Sequence, residues 1–113
     1  MKEKGIYEVA SVQMKTIQDR EDNLKRALEF VDEAADNGAS IVGFHEYFLT
    51  EVPEKGERIE TLRNRAEPIP GPTTQRFQKK AKQRKIYIMP GTLYEFSSDG
   101  KVYNTRLIID PDG

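Results

Sequence analysis

The chain has 113 residues, with 18 Lys plus Arg against 19 Asp plus Glu, one His, and neither Cys nor Trp; that is room for one modest domain and not for two. Without cysteine these residues hold no disulfide, no zinc–thiolate or iron–sulfur site and no thiol nucleophile, and a net charge of −1 gives no overall attraction to nucleic acid or anionic lipid. With 36% apolar and 33% charged residues, the core of a mixed α/β fold is thin, and partner surfaces are expected to help bury it.

The opening Met1-Lys2-Glu3-Lys4-Gly5 lacks the apolar stretch of a secretory signal, and no apolar run approaches the roughly 20 residues of a membrane span. A soluble cytoplasmic protein without a membrane partner is expected. Over residues 6–14, Ile6, Ala10, Val12 and Met14 share one parity while Val9 adds an apolar group to the other, as in a strand covered on both sides. Next, Leu24, Ala27, Leu28, Val31, Ala34 and Ala35 recur at helical spacing, with Asp19 or Asp22 near the start and Asn37-Gly38 as the stop, which predicts an amphipathic helix of about five turns. Ile41-Val42-Gly43-Phe44 is too short for a helix and follows a helix stop, so it reads as a buried parallel strand, completing a βαβ unit.

Residues 51–72 are polar and rich in proline and glycine, a long excursion with one helical turn expected near 58–65. Pro70-Gly71-Pro72-Thr73-Thr74 reads as a rigid turn into a second helix capped by Thr73 or Thr74, with Phe77 and Ala81 facing inward. Residues 86–96 and 102–109 are β-rich runs flanking Ser97-Ser98-Asp99-Gly100, which predicts an antiparallel pair. Asp110-Pro111-Asp112-Gly113 is a turn sequence with no element after it. No internal repeat divides the chain.

Glu46 is the first candidate for chemistry, because it falls at or just beyond the carboxyl end of a buried parallel strand, where ligands and catalytic groups gather in α/β sheets. Among Phe44, Tyr47 and Phe48 its carboxyl is expected to be desolvated and suited to a general base; a strand-end carboxylate that caps a turn or pairs with a cation is the plainer alternative. His45 adjoins it, but on a continuing strand the two side chains leave opposite faces and cannot converge on one ligand, and the metalloprotease pattern needs a second His; a structural histidine is expected. Neither glycine-rich phosphate motif occurs. The run Arg76, Lys79, Lys80, Lys82, Arg84 and Lys85 reads as a solvated helix face and not as a nucleic-acid site. Tyr87, Tyr94, Phe96 and Tyr103 read as core and cross-strand packing in preference to a stacking platform for single strands.

In sequence order, Ala10-Ser11-Val12-Gln13-Met14, Asp22-Asn23-Leu24, Ala34-Ala35-Asp36-Asn37-Gly38-Ala39, Ile41-Val42-Gly43-Phe44-His45-Glu46, Ile69-Pro70-Gly71-Pro72-Thr73-Thr74, Pro90-Gly91-Thr92, Glu95, Gly100-Lys101-Val102-Tyr103-Asn104-Thr105 and Asp110-Pro111-Asp112-Gly113 resemble the carbon–nitrogen hydrolases of the nitrilase superfamily. The resemblance implies a four-layer α-β-β-α sandwich, of which these residues would supply the N-terminal portion, β-α-β-α-β-β. Residues 1–113 are then expected to form a partial domain, truncated before the family's lysine and cysteine. It further implies hydrolysis of non-peptide C–N bonds of a small amide or nitrile, with Glu46 as general base, a lysine stabilising the tetrahedral intermediate, and a cysteine attacking the carbon to form a thioester. The lysine normally follows the Asp-Pro-Asp-Gly turn, whereas Lys101 precedes it, so that role is not carried to Lys101. His45 stands where the family usually has proline.

No metal or organic cofactor is implied. Lacking a thiol, the chain by itself is expected to be inactive. A reading of another class is a non-catalytic half-sandwich whose helices cover one sheet face while the other packs on a second copy, giving a homodimer or higher oligomer.

Overall fold

The computed structural model describes residues 5–50, 56 and 59–113; the expected excursion lies outside the described residues at 51–55 and 57–58. The elements run β1 (Val9–Val12), α1 (Arg20–Asp36), β2 (Ile41–Phe44), α2 (Ile59–Arg65), α3 (Pro72–Arg84), β3 (Tyr87–Met89), β4 (Leu93–Phe96) and β5 (Val102–Thr105). The α/β class is as expected. The string differs from β-α-β-α-β-β in two places: the helical turn of the excursion is a separate helix, α2, and the run 86–96 is two strands.

Strand β2 lies at the centre of a parallel sheet ordered β1-β2-β3, with Ala10, Val42 and Ile88 in register across it. Alternation of side chains along a strand gives this sheet two unlike faces. Val42, Phe44 and Ile88 are buried and join Leu24, Ala27 and Val31 of α1 and Phe77 and Ala81 of α3 in one core. The rings of Phe44, Phe48 and Phe77 meet at centroid distances of 5.3, 5.9 and 6.2 Å, within the range where tilted aromatic pairs attract. On the other face Val9 is 66% and Tyr87 43% exposed. Strand β1 is shorter than the expected 6–14: Ile6 and Tyr7 lie before it and are exposed.

Helix α1 begins where expected. The Asp19 carboxylate accepts from the Asp22 amide at 3.0 Å, meeting one of the orphan donors of the first turn. At its end Gly38, at φ 89°, donates to the Ala35 carbonyl and Ala39 to that of Ala34, a left-handed stop. Helix α3 departs from the sequence reading, because neither Thr73 nor Thr74 is its N-cap. Gly71 holds that position, and Thr74 sits one turn in, accepting from the Gly71 amide at 2.6 Å. The Thr73 amide donates instead to Glu67 Oε1 at 2.7 Å, and Glu67 Oε2 accepts from the Thr73 hydroxyl at 2.9 Å and from Arg20 at 2.7 Å. A carboxylate from outside the helix therefore meets the positive end of its dipole.

Half of the basic run forms a helix–helix seam: Arg76 pairs with Glu21 at 3.0 Å, Lys80 with Asp32 at 2.8 Å, and Arg84 with Asp32 and Asp36 of α1, while Lys79, Lys82 and Lys85 are exposed. Of the expected antiparallel pair, β4 and β5 are in register from Leu93↔Thr105 to Phe96↔Val102, while β3 turns away into the parallel sheet, where Ile88 exchanges both backbone hydrogen bonds with Ile109. The break falls at Pro90-Gly91, where proline has no N–H for a ladder. Glu67 extends the hairpin edge through backbone bonds to Tyr94 and Phe96, and α2 lies against β4 and β5.

Candidate active site

Glu46 emerges two residues beyond the end of β2, the central strand of the parallel sheet, the place where such folds bind ligands. Its segment is pinned from several elements at once. Phe48 and Leu49 are buried at 0% and 3% exposure, and the fully buried Asn23 of α1 donates to the Leu49 carbonyl at 2.8 Å and to that of Ile17 at 2.6 Å while accepting from the Ile17 amide at 3.0 Å. Thr16 donates to the Tyr47 carbonyl at 3.1 Å, and the Tyr47 amide donates to the Thr92 hydroxyl at 3.3 Å. Tyr47 itself has φ 56°, a left-handed conformation that a bulky residue keeps only where its surroundings over-determine it.

His45 closes the segment from the other side. The strand stops at Phe44, so the alternation expected to separate His45 from Glu46 does not extend to them. The imidazole turns back instead, with Nε2 2.9 Å from the Met14 carbonyl oxygen and Nδ1 2.7 Å from that of Glu46. The ring is engaged with these backbone carbonyls and not with the Glu46 carboxylate. Beneath it, Gly91 lies so close that a Cβ there would fall 1.7 Å from the His45 carbonyl oxygen.

The Glu46 carboxylate accepts from the Asn104 amide of β5 at 3.3 Å and acts electrostatically on the neighbouring Tyr47 phenol. Burial first, then the Glu46 carboxylate, push the Tyr47 phenol above its ordinary value, while Tyr94 pulls the other way; the two tyrosine rings are 5.9 Å apart. Glu46 is exposed. The apolar enclosure expected of it is therefore not what holds it, since Phe44 and Phe48 are committed to the core and Tyr47 alone of the three turns a polar group toward the carboxylate.

The result is a carboxylate held by Asn104 at the carboxyl edge of a sheet and open to solvent. Lys101 belongs to the hairpin turn, where its amide donates to Asp99 at 2.9 Å. Among the described residues no group of three or more His, Cys, Asp or Glu assembles to hold a metal ion, and none of the helices is long and apolar enough to cross a membrane. The sequence placed Tyr47 beside Glu46 but singled out neither Thr92 nor Asn104 as a neighbour of this segment. Asn104 carried a signal, as a polar residue within an expected strand beside Tyr103; the left-handed backbone of Tyr47 carried none, because it follows from contacts and not from residue type.

The sequence pattern described as Carbon-nitrogen hydrolase matches residues 8–113. The human omega-amidase NIT2 is 36% identical over 107 residues, covering 95% of this chain and 37% of that protein. The omega-amidase NIT2 of Xenopus tropicalis is 38% identical over 94 residues, 83% of this chain and 32% of that protein. The crystal structure of Saccharomyces cerevisiae Nit3, a member of branch 10 of the nitrilase superfamily, superposes with a TM-score of 0.74 at 28% identity over 93% of this chain and 40% of that one. The C. elegans NitFhit protein shares the fold with a TM-score of 0.74 at 23% identity over 94% of this chain and 25% of that one. The chain thus spans about 37% of the length of the human relative.

Proposed function

Since the chain belongs to the carbon–nitrogen hydrolase family, matched over residues 8–113, we propose that these residues are part of one hydrolase domain and carry its general base, Glu46. The observation that supports this most directly is the Glu46 carboxylate just beyond the end of the central strand, met by Asn104 at 3.3 Å. In the reaction implied by the family resemblance, Glu46 removes the proton of a cysteine thiol as its sulfur attacks the carbonyl carbon of a small amide. Collapse of the tetrahedral intermediate breaks the C–N bond, the proton leaves with ammonia, and a thioester remains. Glu46 then takes a proton from the water that attacks the thioester, the C–S bond breaks to release the carboxylic acid, and the proton returns to the cysteine sulfur. The 113 residues contain no cysteine, so the nucleophile is not among them, and the lysine role finds no match in Lys101.

Ammonia release tests the reading. The 113-residue chain is expected to give none above the buffer rate with simple amides. In a form of relative length that carries the lysine and cysteine, Glu46→Gln is expected to lower turnover by about 10²–10⁴-fold, the usual contribution of a positioned base. Undiminished turnover in that variant removes Glu46 from the mechanism.

A second reading is favoured by the uncovered sheet face, where Val9 and Tyr87 are 66% and 43% exposed. Two copies of the chain placed face to face would cover both. Light scattering over a concentration series decides it: a dimer supports face-to-face pairing, and a monomer at all concentrations rejects it.

A further inference from the structure

We propose that His45 is the positioning residue of Glu46: its ring bridges Met14, two residues beyond β1, and the backbone of Glu46, and so sets where the carboxylate stands. The proposal rests on the reading of Glu46 as the base, and adds the group that aims it. Both ring nitrogens face carbonyl oxygens, Met14 at 2.9 Å and Glu46 at 2.7 Å. A carbonyl only accepts, so the ring donates, through one N–H when neutral and through both as the imidazolium. Met14 is buried at 7% exposure, which makes it a fixed anchor rather than a mobile loop group.

Three constraints then meet within two residues. The His45 ring ties the Glu46 carbonyl to that of Met14, and the His45 carbonyl is walled by Gly91, where a Cβ would lie 1.7 Å from its oxygen. The residue after Glu46 is held left-handed by Thr16 and Thr92. Of these, only the His45 ring takes hold of the backbone of Glu46 itself. Without it the Glu46 peptide is free to rotate between two fixed ends, and the 3.3 Å contact between the Glu46 carboxylate and Asn104, which depends on where that peptide points, is lost.

The test is amide NMR of the 113-residue chain. In His45→Ala the Tyr47 backbone amide is expected to exchange about tenfold faster, the effect of losing one hydrogen bond from the segment, and the Asn104 side-chain amide to lose the shift that its hydrogen bond to the Glu46 carboxylate gives it. His45→Gln, whose amide can donate to the same carbonyls, is expected to restore both signals. Leu28→Ala, a half-buried α1 residue packed against the core, lowers global stability and is expected to move neither, because local opening does not follow global unfolding. Unchanged Tyr47 and Asn104 signals in His45→Ala, or equal changes in Leu28→Ala, overturn the proposal. If His45→Ala does not fold, the wild-type ring decides: couplings across the hydrogen bonds from ring nitrogen to the Met14 or Glu46 carbonyl support it, and ring N–H protons that exchange at the solvent rate refute it. No readout here is turnover, so a Glu46 that is not the base would be exposed by the ammonia assay alone.

Discussion

Replacing Gly91 with alanine puts one methyl group where the candidate site has no space. An ideal Cβ at Gly91 lies 1.7 Å from the His45 carbonyl oxygen, 2.6 Å from the His45 carbonyl carbon and 3.2 Å from the Phe44 carbonyl oxygen. All three neighbours are backbone, so no side chain can swing aside; reaching an ordinary contact of 3.4 Å means that the end of β2 and the segment at Gly91 separate by about 1.7 Å. Overpacking of this kind costs about 1–3 kcal/mol and occasionally more, and a clash confined to backbone belongs at the upper end, about 3 kcal/mol. For a domain near this size that corresponds to a melting temperature lower by about 10–20 °C. Gly43→Ala is the matched control on the adjacent strand: its Cβ would meet only the Met89 Cβ at 3.9 Å, so it is expected to be neutral or to stabilise by up to about 1 kcal/mol, through the smaller backbone entropy lost by alanine. Thermal melts followed by circular dichroism measure both. A Gly91→Ala protein that melts within about 3 °C of wild type would refute the close packing of Gly91 under His45 and, with it, the rigid seat described for Glu46.

Glu67→Leu leaves Arg20 and the first-turn amide of α3 without the carboxylate that both now use. Because the Glu67 side chain is 10% and that of Arg20 37% exposed, a loss of about 2–3 kcal/mol is expected, below the roughly 3–5 kcal/mol of a fully buried broken pair. Urea unfolding measures it, and the double variant Arg20→Met/Glu67→Leu should recover part of the loss; a single variant as stable as wild type contradicts the capping role. The Tyr47 phenol should titrate above 10.0, and Glu46→Gln should bring it down while leaving it raised, since burial is the larger cause and survives the substitution. A raised value means that the folded chain favours the protonated phenol. The stability Tyr47 contributes is therefore complete below pH 10 and is lost as pH rises through the raised value. Ring-carbon NMR follows the titration, and a phenol indifferent to Glu46→Gln would deny the contact between the two side chains.

What the sequence by itself determined are features whose causes lie within a few residues. Helix α1 was legible because its apolar spacing, its Asp19 cap and its Asn37-Gly38 stop act over one or two turns, and β2 because a four-residue apolar run after that stop suits nothing but a buried strand. The position of Glu46 followed from β2 alone. Tertiary structure decided wherever two local options were nearly equal or a partner came from far along the chain. Residues 86–96 are β-favouring on both sides of Pro90-Gly91, and that pair marks where a strand can break but not which partner each half takes; that β3 joins β2 in parallel while β4 pairs with β5 is decided by the tertiary structure, including the close approach of Gly91 to His45. Thr73 and Thr74 are good caps by residue type, yet Glu67, brought in on the edge of β4, supplies the stronger, charged acceptor. The same holds at the site: Asn104 is 58 residues from Glu46 and Thr92 is 45 from Tyr47. Contacts at such separations depend on sheet pairing, which no short window of sequence contains, so the seat of the carboxylate became legible only once the strands were placed.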